Sequence, residues 1–112
     1  MNCIFCAIVD KKIPSNKVHE NDEFLAFHDI HPKAPVHILV IPKAHYATLQ
    51  ETPSEIMCSL TEFVKETAIK LGLDKSGYRF IINNGSDGGQ EVYHLHVRSE
   101  EHTSELQSPN TI

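Results

Sequence analysis

Apolar and polar positions alternate along this chain in blocks that mark its elements. The densest apolar run is Val36-His37-Ile38-Leu39-Val40-Ile41, rich in β-branched residues and stopped by Pro42, which predicts a buried central strand. Upstream, Lys17–Glu20 and Glu23–His28 read as two short strands, with Asn21-Asp22 between them as a hairpin turn. Asp29 to Pro35, with two prolines, is expected to be a loop, and the leading Ile4, Phe5, Ala7, Ile8 and Val9 a short helix ended before Pro14. Ile56, Leu60, Phe63, Val64, Thr67 and Leu71 recur with the 3.6-residue period of one helix face, so a long helix is predicted from about Pro53 to Leu71. Thr52 is its expected N-cap, completed by Glu55 as a capping box, and Gly72 its stop. Tyr78–Asn83 and Glu91–Val97 read as two further strands around the loop Asn84–Gly89. The order β-β-β-α-β-β behind a leading helix predicts an α+β domain with an antiparallel sheet.

Composition narrows the function. The 112 residues make one domain with one core. Ten Lys+Arg against fifteen Asp+Glu leave a net charge of −5, which argues against a nucleic-acid-coating protein. No apolar window reaches the roughly 18 residues of a membrane span. The start shows no secretory signal, so a cytoplasmic location is expected. Cys3, Cys6 and Cys58 are an odd count in a reducing compartment, a poor disulfide framework. Cys58 falls in the predicted helix and is expected at the core or its boundary. Cys3-x-x-Cys6 has the spacing of half a tetrahedral zinc site, although alone it is equally compatible with a redox-active or an inert pair.

The chain carries eight histidines, well above ordinary usage. On an extended strand His94 and His96 would share one face, with Tyr93, Leu95 and Val97 on the other. Paired imidazoles titrate near neutrality and suit acid/base or nucleophilic work. Just upstream, Gly85, Gly88 and Gly89 let backbone N–H groups approach phosphate oxygens. His19 and His31 are expected at the surface, and His28 to be structural.

The segment Gly89-Gln90-Glu91-Val92-Tyr93-His94-Leu95-His96-Val97 resembles the signature of the histidine triad (HIT) superfamily. So do Cys3-Ile4-Phe5-Cys6, Ile13-Pro14-Ser15, Leu25 to Ile30, His37 to His45 and Ile82 to Gln90, in the same order and at similar spacing. The likeness is to the Hint-type branch, the nucleoside phosphoramidases. It implies a five-stranded antiparallel sheet with one long and one or two short helices, and a homodimer joining two sheets edge to edge. It implies a hydrolase that converts purine nucleoside phosphoramidates or related nucleotides to the nucleoside monophosphate through a covalent nucleotidyl-histidine. His96 then matches the nucleophile, while His94 and His37 frame the phosphate. Asn83, Gly89, Gln90, Glu91 and Val92 match groups around the phosphate and leaving group. Asp29 matches the carboxylate on the ribose, and Phe5, Ile8, Phe27, Ile30 and Leu39 the apolar cleft for the base. A structural zinc, with no organic cofactor, would be held by Cys3, Cys6, His45 and His94. Neither nucleic acid nor membrane is an expected partner.

The third histidine of the signature is replaced by Arg98, which keeps a donor for phosphate but cannot act as an acid or base near neutrality. From there the chain turns polar, and Arg98 to Ser108 resembles the in-frame translation of a sequencing adapter. The expected division is therefore a HIT domain over residues 1–97, truncated at its end, and a non-family tail over 98–112, artefactual or disordered. The alternative to the enzyme is a catalytically impaired nucleotide-binding module, or a chain that folds poorly.

Overall fold

The computed structural model describes residues 3–29 and 36–101. Helix α1 (Ile4–Val9) leads into strands β1 (Lys17–Glu20), β2 (Phe24–His28) and β3 (Val36–Pro42). After a short 3-10 turn come helix α2 (Ser54–Lys70), the single turn α3 (Leu73–Ser76), and strands β4 (Arg79–Ile81) and β5 (Val97–Glu101). The strands form one antiparallel sheet in the order β1-β2-β3-β5-β4, so β3 and β5 lie inside it. This is the α+β, five-stranded architecture expected from the sequence. Among the described residues no helix is long and apolar enough to cross a membrane.

The two faces of the sheet bury different partners. Phe24, Ala26, Ile38, Val40 and Val97 point to α2 and pack against Leu60, Phe63 and Val64. Leu25, Phe27, Leu39 and Ile41 point the other way and meet Phe5 of α1. The continuous apolar run in β3 is thus the signature of a strand covered on both sides. The β1–β2 hairpin turns at Asn21, whose Oδ1 accepts hydrogen bonds from the N–H groups of Glu23 and Phe24, both at 2.8 Å.

Several local expectations are corrected. Pro53, not Thr52, holds the N-cap position of α2, and the Thr52 hydroxyl donates to the Thr48 carbonyl at 2.8 Å instead. Cys58 lies on the solvent side of α2 and is exposed. The strand expected over Tyr78–Asn83 is pared to Arg79–Ile81. Glu91–His96 is not a strand at all: its Leu95 N–H is bound by the Tyr46 carbonyl (2.6 Å) rather than by a neighbouring strand. Strand β5 begins only at Val97 and runs through the expected 97/98 boundary to Glu101, pairing Arg98 with Leu39 and Glu100 with His37. A ladder recruits backbone groups that every residue carries, so a polar stretch between two partners extends as readily as an apolar one. Residues 102–112 of the expected tail lie outside the described residues.

Candidate active site and metal cluster

Between α1 and the sheet lies a cavity of about 460 Å³. Its apolar side is built by Ile4, Phe5 and Ile8 from one face of α1, with Phe27 and Leu39 rising from the sheet. Its polar side collects Asp29, His37, Asn83, Glu91, His96 and Arg98, with Gly89 and Val92 between them. These residues come from β2, β3, β5 and the loop before β5, so a single sheet face assembles what the sequence scatters. Ile4, exposed at 49%, was not singled out by the sequence, although its i, i+4 spacing with Ile8 puts both on one face of α1. Ile30, expected in the apolar cleft, lies outside the described residues.

His96 is half-buried, and its Nδ1–H donates to the main-chain carbonyl of His94 at 2.8 Å. Since a carbonyl only accepts, Nδ1 carries a proton, and in the neutral ring Nε2 then keeps its lone pair. Burial pushes the His96 imidazolium below its ordinary range, and the Arg98 charge adds to this against the opposing pull of the carbonyl and Asp29. A neutral imidazole with a bare Nε2 is a nucleophile. Phe5 meets its ring edge to face at 5.0 Å between centroids.

Behind it runs a line of ionisable groups. His37 Nε2 is 3.4 Å from Asp29 Oδ2 and 3.9 Å from Glu100 Oε2. Glu100 in turn lies 3.6 Å from Arg98 Nε and 4.0 Å from Arg79 Nη1. Glu100 is buried, a member of the site that sequence reasoning missed because it falls in the stretch read as tail.

Gln90 sits elsewhere. Its Oε1 accepts from the Gly85 N–H (2.9 Å), and its Nε2 donates to the carbonyls of Ala47 (2.7 Å) and Val92 (3.0 Å). Buried and engaged on both sides, it braces the glycine loop rather than lining the cavity.

His94 also leaves the cavity. Fully buried, it turns its Nδ1 toward Cys3 Sγ (3.3 Å), Cys6 Sγ (3.5 Å) and His45 Nδ1 (3.2 Å). Cys6 Sγ is 3.3 Å from His45 Nδ1, and the four donor atoms all lie within 4.8 Å of one another. Cys3 is the N-cap of α1 and Cys6 sits in its first turn, which brings both sulfurs to one side. Burial and the neighbouring Cys3 push the Cys6 thiol up. His94 Nε2–H donates to the Pro42 carbonyl (2.8 Å), which leaves Nδ1 unprotonated toward the cluster, while burial pushes its imidazolium down. Tetrahedral bonds of ordinary metal–nitrogen and metal–sulfur length separate ligand atoms by about 3.3–3.8 Å. The four separations from 3.2 to 3.5 Å lie close to that range and the remaining two within 4.8 Å, so this donor set could hold a metal ion.

Residues 10–98 match the model of the HIT domain family. The chain is 43% identical over 99 residues to Protein HitA of Neisseria gonorrhoeae, covering 86% of this chain and 92% of that protein. It belongs to the HIT domain family. Among solved structures, a histidine triad protein from Clostridium difficile superposes with a TM-score of 0.89 at 44% identity, covering 100% of this chain and 97% of that one. A HIT family hydrolase from Clostridium thermocellum gives a TM-score of 0.90 at 35% identity, over 99% and 97% of the two chains. In this HIT chain the two histidines that the sequence put on one strand face lie in separate places, His96 at the cavity and His94 in the cluster. The reason is that the segment carrying them is irregular, so period-two alternation does not govern it.

Proposed function

We propose that this HIT protein is a nucleotidyl hydrolase that cleaves purine nucleoside phosphoramidates or related nucleotides to the nucleoside monophosphate. The observation that carries this reading is His96: an imidazole at a cavity with one apolar and one polar side, its Nδ1–H tied to a carbonyl so that Nε2 is the nitrogen left to react. The purine would lie against Ile4, Phe5, Ile8, Phe27 and Leu39, and Asp29 would accept from the ribose hydroxyls. Asn83, the amide at Gly89 and Arg98 would meet the phosphate. His96 Nε2 attacks phosphorus, the bond from phosphorus to the leaving amine breaks, and the amine takes a proton from His37 or solvent. Water then breaks the phosphorus–Nε2 bond, releasing the monophosphate and a neutral His96. The proposal includes a cytoplasmic homodimer and a structural zinc on Cys3, Cys6, His45 and His94.

The test is His96→Ala on a fluorogenic adenosine phosphoramidate. Turnover should fall by about 10³-fold or more, while AMP still binds. Unchanged turnover removes His96 from its role.

A second reading, a nucleotide-binding module with impaired turnover, is favoured by strand β5. Ser99 and Glu100 occupy buried positions there, each 5% exposed, and Arg98 offers no titratable proton beside His96. Arg98→His raising turnover by about tenfold or more would support impairment; no change would count against it. Long-read sequencing of the locus tests whether 98–112 are a foreign tail; a histidine codon at 98 followed by an apolar strand is the expected result.

A further inference from the structure

We propose that the Cys3–Cys6–His45–His94 cluster is a positioning site: when it holds a metal ion, it fixes the His94 carbonyl that orients His96, and the α1 wall of the cavity. This rests on the reading of the cavity as a nucleotide site.

None of the four ligands lines the cavity, so the cluster takes no direct part in chemistry there. What it does reach is the frame around the cavity. His96 owes its orientation to the His94 carbonyl, at 2.8 Å. That carbonyl belongs to an irregular segment, 91–96, held by single bonds such as Leu95 N–H to Tyr46 (2.6 Å) and Val92 to Gln90 (3.0 Å). The side chain of His94 is therefore a principal anchor of its own backbone, through Pro42 on one nitrogen and the cluster on the other.

The second half of the frame is α1. Six residues are too few for a helix to persist on propensity alone. Cys3 and Cys6 bracket Phe5, whose ring meets His94 at 5.9 Å, His96 at 5.0 Å and Phe27 at 6.1 Å. One ion on these four ligands would join α1, the loop after β3 and the segment before β5 at a single point. The same ion would leave Nε2 of His96 untouched.

The cluster also has its own approach. Cys3 and His45 line a surface depression shared with Ala47 and Tyr93, and Ile4, Glu91 and Val92 line both this depression and the cavity. Two of the four ligands are thus reachable from a depression distinct from the one that His96 lines.

The experiment uses the full chain, purified without a histidine tag, zinc-loaded or stripped by a chelator. AMP affinity is measured by calorimetry and backbone exchange by hydrogen–deuterium mass spectrometry. Stripping should weaken AMP binding by about tenfold, as expected when a few site groups must be reordered on binding, and speed exchange over 4–9 and 91–96 but not over α2. Zinc should restore both. His45→Ala should behave as the stripped chain, and His45→Cys, which keeps four ligands, as the loaded one. Equal AMP affinity and equal exchange in loaded and stripped protein would overturn the proposal, as would failure to take up zinc. If neither form binds AMP, the nucleotide reading fails, and the exchange at 91–96 still decides whether the cluster positions that segment.

Discussion

Two glycines in the loop before β5 are required for different reasons, and replacing each by alanine separates them. A Cβ on Gly88 would lie 2.5 Å from the Asn84 carbonyl oxygen, 2.9 Å from its nitrogen and 3.1 Å from its carbonyl carbon. All three are backbone atoms, so relief requires the loop to open by roughly 0.8 Å, the shortfall from an ordinary C···O contact of about 3.3 Å. The loop resists opening: Gly88 N–H to Gly85 (3.2 Å), Gly89 N–H to Ser86 (3.1 Å) and Gln90 N–H to Gly85 (3.0 Å) all cross it. Gly88→Ala should therefore cost about 1–3 kcal/mol, the range for an overpacked site. Because Asn83 and Gly89 line the cavity, AMP affinity should fall as well. Gly85 differs: it has φ +75° with nothing within 4 Å of an added Cβ. Gly85→Ala should cost only the left-handed penalty of about 1–2 kcal/mol, and Gly85→Asn less, since asparagine tolerates that region. Urea unfolding gives the free energies, and each kcal/mol should appear as a fall of about 4–8 °C in Tm. AMP calorimetry should show a loss confined to Gly88→Ala. A Gly88→Ala protein within about 0.5 kcal/mol of the parent, or a Gly85→Asn as damaging as Gly85→Ala, would refute the geometry.

Two further outcomes follow from the opposite face and the edge of the sheet. Phe63, 1% exposed, packs 5.5 Å from Phe24 and stacks under His19 at 4.7 Å; Phe63→Ala should cost about 3–5 kcal/mol in denaturant unfolding, yet leave AMP affinity of the folded fraction unchanged because the sheet separates it from the cavity. Glu20 accepts from Lys17 and Lys43, each at 2.6 Å, and these hydrogen bonds hold its carboxyl down at about 2. A carboxyl depressed on folding stabilises fully above its unfolded value of 4.5 and loses that contribution as pH falls through about 2. Glu20→Gln should thus destabilise at pH 7 by about 1 kcal/mol or less, solvent screening these partly exposed pairs, and the gap to the parent should close between pH 5 and pH 2; a gap independent of pH would show that the charge is not its source.

The amino-acid sequence by itself determined the elements whose information is local. The 3.6-residue spacing from Leu60 to Thr67 specifies the buried face of α2, the β-branched run at Val36–Ile41 specifies β3, and Asn21 specifies the hairpin turn. The residue types also carried the chemistry, because imidazoles, thiols and glycines near a strand end have few other uses in combination. What only the tertiary structure decided is where those groups point. His94 and His96 are two residues apart, and strand periodicity would put them on one face. The segment instead bonds to Tyr46 and to Pro42, so one imidazole enters the cysteine–histidine cluster and the other the cavity. Gln90 resembles a phosphate ligand in sequence but closes the loop from inside. Arg98 to Glu101 carry no strand pattern of their own and become β5 because β3 and β4 flank them with open backbone donors and acceptors. Hydrophobic periodicity records which side of an element meets the core, a local property. Side-chain direction in irregular segments and pairing in a central strand depend on partners tens of residues away, and only the folded chain brings those together.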